Sequence, residues 1–470
     1  MNTRIIFPFL LMFSSLLHAQ VGYQVKFHID GLKDTSCLIA RYYGNSSYIQ
    51  DTLRVDNRGR CTFKPPPDLP RGMYSFVISE DNYFDFILNN DHRFSIETTK
   101  VQPLDHMTIT GSPENMLFLE YLQENRRQNT LYQSIQERMK QYKDVRDTMK
   151  TLYIELDTLN RRMISYKRKI AESYPQSFLA LMIRTMQEPD IPEIHLPPDG
   201  RKDTTFAYRY YKSHFWDGTD FTDDRSLHTP VLHTKLIKYF DKVLDQQPDT
   251  IIRYAILMIE KARPSQEMFK YILWFTTSNY ERSEIMGMDK VFVYLVDTYY
   301  ATGQTPWVDK NVLANILNRV AKIRPLLIGQ IAPNMIMQDT NLNLVSMHDI
   351  KARYLILLFW DPDCGHCEQE LPVLKTFYDT NHVKYDMKVF AVCSDTSMVK
   401  WKKAIKKKDM NFINVDGPRT LTGNYHDQYD ISTTPVIFIL NNRKEIIAKH
   451  LQTDQVARFI RNHAQLTRQP

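Results

Sequence analysis

Two cysteines, Cys364 and Cys367, stand two residues apart in the stretch "LILLFWDPDCGHCEQELPVL", directly after an apolar run. Such a pair can hold a metal, close a small loop or exchange electrons with another disulfide. A cysteine at the first turn of a helix meets the positive end of the helix dipole and free backbone N–H groups, and both favour the nucleophilic thiolate. A second cysteine one turn further on is placed to attack a mixed disulfide and release its partner. Zinc would need a second ligand pair. The region offers only His366 and a lone strand cysteine, Cys393, so no metal is expected. A structural disulfide around so short a loop would constrain the unfolded chain little. The spacing points to thiol–disulfide exchange, with Cys364 attacking and Cys367 resolving.

The chemistry depends on compartment. The chain opens "MNTRIIFPFLLMFSSLLHAQ": one charge, Arg4, precedes an apolar run from Ile5 to Leu17, and the small Ala19 sits before Gln20. That is the layout of a secretory signal peptide over residues 1–20, and the run is too short to span a membrane as a helix. Export to the periplasm or cell envelope is expected, with a soluble mature protein. The 470 residues are 43% hydrophobic and 24% charged with only 14 Gly, a globular composition long enough for several domains. The net charge of +6 is small for this length. The densest basic run, Lys402, Lys403, Lys406, Lys407 and Lys408, falls on a predicted helix and reads as a solvated face, so no nucleic-acid partner is expected.

Three regions follow the leader. Residues 21–112 alternate as strands ("YQVKFHID", "CLIARYY", "MYSFVI", "YFDFIL", "RFSIETT") between turn residues, which predicts a β-sandwich. Cys37 and Cys61 fall in two of these strands and could pair in an oxidising compartment, provided their Cα atoms come within about 7 Å. Residues 113–324 turn helical. Apolar residues recur in steps of three and four from Leu131 through Ile135, Leu152 and Met163 to Ile170, as in a long helix or an antiparallel helical pair. Residues 325–470 alternate strand and helix. "YLILLFW" is a strand of the kind buried on both faces, a helix starts at Cys364, and "TPVIFIL", "EIIAKHL" and "TDQVARFIRNHAQL" read as a closing hairpin and terminal helix capped by Thr453 or Asp454.

"HFWDGTDFTDDRSLHTP" gathers His214, Asp217, Asp220, Asp223, Asp224 and His228. Its spacing fits neither a calcium loop nor a zinc pair, and turns and helix caps account for the acids.

The run from Gly329 to about Leu466 resembles the thioredoxin-fold, TlpA/ResA-type envelope thiol–disulfide oxidoreductases. "GQIAPNM" is similar to the leading segment of these domains, and Trp360 occupies the aromatic position before the motif. Pro372 matches the helix-kinking proline, and Pro435 in "STTPVIFIL" the cis-proline that faces the cysteines. Glu370 matches the acidic residue of envelope members. The resemblance implies that Cys364, Cys367, Glu370 and Pro435 are catalytic, with Glu370 moving a proton to or from Cys367 if partly buried. It implies that Trp360, His366 and Thr434 bind substrate, Thr434 by strand-like pairing. It implies no cofactor beyond a redox-active Cys364–Cys367 disulfide, protein thiol and disulfide substrates, and a membrane-bound electron donor.

Departures bear on direction. Leu358 stands where cytosolic thioredoxin has a buried aspartate, so proton transfer needs another group. Gly365–His366 is the dipeptide of protein disulfide isomerase; His366 favours the thiolate and a more oxidising pair, while Asp361 and Asp363 oppose it. A reductase is the expected activity, with an oxidase or isomerase as the alternative. A peroxiredoxin is disfavoured, since "DPDCGHC" lacks the P-x-x-x-[ST]-x-x-C run. A partner-binding scaffold with a secondary redox pair is the reading from another class, resting on the size of residues 21–324.

Overall fold

The computed structural model describes residues 22–66, 68–192 and 203–467; the leader expected at residues 1–20 lies outside them. The chain divides into two compact units, Met1–Leu244 and Asp245–Pro470.

The first unit opens with eight strands: β1 Gln24–Asp30, β2 Thr35–Tyr43, β3 Ser46–Val55, β4 Arg60–Phe63, β5 Gly72–Ser79, β6 Asn82–Leu88, β7 Arg93–Thr99 and β8 Thr108–Thr110. They form two four-stranded sheets, β4-β1-β7-β8 and β3-β2-β5-β6. Alternate residues of both sheets enter one core. Phe27 of the first sheet meets Phe76 of the second with ring centroids 4.6 Å apart. This is the expected sandwich. Cys37 and Cys61 carry free thiols in that core. Burial, with Cys37 as neighbour, pushes the Cys61 thiol up to about 12.

Helices α1 Pro113–Gln141 and α2 Arg146–Ser173 realise the long periodic stretch as an antiparallel pair. Ile135 and Leu152 are buried, and Arg138 bridges to Glu155 at 2.7 Å. Three shorter helices follow: α3 Phe178–Met186, α4 Phe206–His214 and α5 Val231–Lys238. The acids that suggest a metal loop act locally. Asp217 meets His214 Nδ1 at 2.6 Å, Asp220 accepts the Thr222 N–H at 2.8 Å, and Asp223 is paired with Arg225.

The second unit begins with α6 Pro248–Ala262, α7 Gln266–Glu281, α8 Asp289–Leu295 and α9 Lys310–Ile323. A seven-stranded sheet follows, ordered β10-β9-β13-β12-β11-β14-β15. Its strands are β9 Ile336–Asp339, β10 Leu344–Ser346, β11 Tyr354–Trp360, β12 Met387–Cys393, β13 Ile413–Thr420, β14 Val436–Asn441 and β15 Ile446–Lys449. β11 runs parallel to β12, β12 to β13, and β14 is antiparallel to β11. Every residue of β11 is buried. Ile356, Leu358 and Trp360 join a core on one face, while Leu355, Leu357 and Phe359 join a core on the other. Helices α10 Gly365–Tyr385, α11 Met398–Lys407, α12 Tyr425–Gln428 and α13 Thr453–Leu466 complete the unit. The architecture is strand-rich, then helical, then a thioredoxin-like α/β fold.

The α6–α9 helices are tied to the α/β fold by charge. Lys449 of β15 is buried and pairs with Asp289 at the start of α8, while also donating to the Leu326 carbonyl at 2.6 Å. Arg319 of α9 holds Asp430 at 2.6 Å. Among the described residues no helix is long and apolar enough to cross a membrane.

Candidate active site

β11 ends at Trp360, and three residues later the chain turns into α10. Cys364 is the N-cap of that helix, with its Sγ 3.3 Å from the Cys367 N–H. The cap therefore places the first sulfur where helix N–H groups converge. Cys364 is partly exposed; Cys367, the third residue of the helix, is fully buried. On the far side of Cys364 the carbonyl oxygen of Thr434 lies 3.1 Å from Sγ, and the Thr434–Pro435 peptide is cis. Four of the expected residues, Cys364, Cys367, Thr434 and Pro435, thus come together across 70 positions of sequence.

The two sulfurs are chemically unlike. Burial works against ionising Cys364, but the side chains of Thr434 and Cys367 and the Cys367 and His366 N–H groups outweigh it and hold this thiol below its ordinary value. Burial pushes the Cys367 thiol up to about 12, against a backbone hydrogen bond from Asp361. The arrangement eases ionisation at the partly exposed Cys364 and opposes it at the buried Cys367, which is the asymmetry that attack followed by resolution requires.

The other expected residues divide. His366 is exposed beside Cys364. Glu370, one turn past Cys367, is half-buried; its Oε2 accepts from the Thr453 hydroxyl and from the Thr453 N–H at 3.1 Å. Thr453 is accordingly the first residue of α13 bonded to Glu370, and the helix is capped by Gln452, whose side chain pairs reciprocally with Gln455. Pro372 lies inside α10 without an N–H to give to Glu368. Trp360, expected to bind substrate, is 0% exposed, in the core under the motif. Both faces of β11 are buried, and Trp360 packs in the core that also holds Cys367.

Beside the nucleophile the sequence reading names Asp361 and Asp363 but misses Asp395 and Lys400, which complete a charge cluster. The carboxylates of Asp361, Asp363 and Asp395 lie within 4.8 Å of one another. Lys400, on α11, pairs with Asp363 and reaches Asp395 at 3.1 Å. Asp361 accepts from the Ser394 hydroxyl at 2.6 Å and from the Asp363 N–H at 2.8 Å. The lysine offsets carboxylates that would otherwise disfavour a thiolate nearby. Nothing in "SMVKWKKAIKKK" separates Lys400 from its neighbours, because its partners lie on two other loops. Behind it Asp416 is buried opposite Cys393 in the β12–β13 register. Burial raises its carboxyl, and Arg419, at 3.1 Å, works the other way.

Residues 328–449 match the AhpC/TSA family, and residues 23–118 and 157–324 match two domains of unknown function, DUF4369 and DUF5106. The chain is 28% identical over 121 residues to the thiol-disulfide oxidoreductase ResA of Bacillus subtilis. That match takes in 25% of this chain and spans 64% of ResA's length. Similar solved structures include a thioredoxin-like protein from Bacteroides caccae, 19% identical over 59% of this chain and 99% of that one, with a TM-score of 0.47. Another is a domain of a possible thiol-disulfide isomerase from Cytophaga hutchinsonii, 33% identical over 31% of this chain and 99% of that one, TM-score 0.29. With the buried sheet and the capping cysteine already placed, the C-terminal part of this chain belongs to the AhpC/TSA family as a thioredoxin-like domain, homologous to the ResA thiol-disulfide oxidoreductases.

Proposed function

We propose that this chain is an exported thiol–disulfide oxidoreductase that reduces disulfides of partner proteins in the cell envelope. The observation that carries the proposal is the asymmetry of the pair: Cys364 partly exposed and held low, Cys367 buried and pushed up to about 12. In the first step the Cys364 thiolate attacks one sulfur of the partner's disulfide. A Cys364–partner bond forms, the partner's S–S bond breaks, and its second sulfur leaves as a thiolate that takes up a proton. In the second step Cys367 loses its proton and attacks Cys364 Sγ. The Cys364–Cys367 disulfide forms and the partner's first sulfur departs, so the partner gains two electrons and two protons while the pair is oxidised.

Glu370 is the proposed acceptor of the Cys367 proton. It lies three residues on, so it shares a face of α10, and Thr453 fixes its carboxylate. Thr434 offers its carbonyl to the partner's backbone once the thiol no longer holds it. His366 faces solvent at the motif and contacts the partner. The Cys364–Cys367 disulfide is the only redox group in this cycle, and a membrane-bound donor returns it to the dithiol. The leader-like residues 1–20 support export.

Equilibrating the purified chain against glutathione buffers tests this. A potential near about −270 mV supports a reductase. A potential between about −180 and −120 mV replaces it with an oxidase or isomerase, which the exposed His366 favours. A pair that does not cycle leaves a scaffold role for residues 21–324.

A further inference from the structure

The first unit holds a cavity of about 240 Å³ between α3, the loop after it, and α5. Met186, Phe215 and Val231 give it apolar walls, Glu188 and Lys238 stand at its edge, and Lys235 lines it. Lys235 is a buried cation, 6% exposed. Its Nζ donates to the Gln187 carbonyl at 3.0 Å and to the Thr219 hydroxyl at 3.3 Å, and it rides 5.1 Å and 5.3 Å from the ring centres of Phe215 and Trp216.

An ammonium has three protons, and here two meet neutral oxygens. Among the described residues no carboxylate stands within salt-bridge distance of Lys235. Glu188, the nearest acid at the cavity, is taken by Lys238 and by the Tyr211 hydroxyl at 2.8 Å. Asp217 is taken by His214. A buried cation without an anion is costly, and proteins ordinarily pair it; Lys449 with Asp289 is the paired case in this same chain. An apolar chamber whose wall carries a buried ammonium with no directly bonded anion is complementary to a molecule with one negative group and a hydrocarbon body. The volume is below the roughly 300 Å³ at which pockets for drug-sized ligands begin, so the molecule is small. One monocation beside the Glu188 carboxylate also disfavours a multiply charged anion.

We propose that this cavity binds a small apolar monocarboxylate, with the carboxylate on Lys235 Nζ and the hydrocarbon against Phe215, Met186 and Val231. The site is independent of the cysteine pair.

Calorimetry on the full chain with phenylacetate and its neutral isostere phenylacetamide tests the proposal. Phenylacetate is expected to bind at least tenfold more tightly. Lys235→Met is expected to erase that discrimination, and Val231→Trp, which fills the chamber, to weaken both ligands. Equal affinities in the unmodified protein, or no binding of phenylacetate at millimolar concentration, overturn it. Phenylacetate binding that survives Val231→Trp unchanged overturns it too, since the ligand then sits elsewhere. Should Lys235→Met fail to fold, the isostere pair and Val231→Trp decide.

Discussion

Cys364 Sγ and the Thr434 carbonyl oxygen lie 3.1 Å apart, so the reduced thiol can donate to a main-chain acceptor that the thiolate cannot use. Burial opposes ionisation at Cys364, and the side chains of Thr434 and Cys367 together with the Cys367 and His366 N–H groups outweigh it. The net lowering predicts that Cys364 is alkylated by iodoacetamide at pH 7 ahead of Cys37, Cys61, Cys367 and Cys393, by roughly tenfold or more. Its rate should climb with pH and level off below the ordinary thiol value. Cys367, pushed up to about 12, should react only in strong alkali. Peptide mass spectrometry over a pH series checks both, and equal labelling of the two at pH 7 would contradict the assignment.

Replacing Cys367 with Ser removes the resolving sulfur and should leave a stable mixed disulfide between Cys364 and a disulfide peptide, visible on a non-reducing gel. Cys364→Ser should trap nothing. If Cys367→Ser turns over like the parent, resolution is not the work of that residue.

Glu370 makes a finer prediction. Glu370→Gln keeps an oxygen for Thr453 but cannot take a proton, so resolution of the mixed disulfide should slow by roughly a hundredfold. Thr453→Val removes the hydroxyl and leaves the carboxylate, and should slow resolution far less. Quenched-flow lifetimes of the mixed disulfide separate the two. Equal lifetimes for Glu370→Gln and the parent would reduce Glu370 to a brace between α10 and α13.

Much of this was legible in the chain, for reasons that can be named. The alternation of "YQVKFHID" and the unbroken "YLILLFW" report burial on one face and on two, and both became strands as read. The cysteine spacing reports a helix turn, and Cys364 caps α10. Long-range electrostatics left no such trace. Lys400 acquires its role from Asp363 and Asp395 on other loops, and the pairing of Lys449 with Asp289 spans 160 positions. The hairpin "NNRKE" shows a related gap: with no glycine, Lys444 takes φ +64° and sends its Nζ to the Ile350 carbonyl at 2.6 Å. Trp360, expected at the substrate from its place before the motif, lies fully buried in the core beneath it.

The Lys449–Asp289 pair tests whether the α6–α9 helices are energetically part of the α/β fold. Asp289→Ala leaves a buried ammonium without its anion and should cost about 3–5 kcal/mol in denaturant unfolding. The double replacement Asp289→Leu with Lys449→Met should recover most of that loss, since two apolar groups need no partner. A double variant as unstable as the single one would mean that packing, and not charge, holds this junction.

Lys235 gives the pH-dependent case. Burial lowers its ammonium to about 8, with Glu188 and Asp217 pulling it up and Lys238 pushing it down. An unfolded chain would keep this group near 10.5, so between pH 8 and 10.5 the unfolded state binds more protons and stability rises with pH. Below pH 8 both states are charged and the full desolvation cost, on the order of 3 kcal/mol, is present. Lys235→Met lacks this titration, while Glu188, Asp217 and Lys238 are common to both proteins and largely cancel. The unfolding free energy of the parent, measured against the variant, should therefore gain steadily from pH 8 to 10.5 and stay flat below. Parallel curves would mean that the ammonium is solvated, and a group that carries no desolvation cost would also give a carboxylate little reason to enter the chamber.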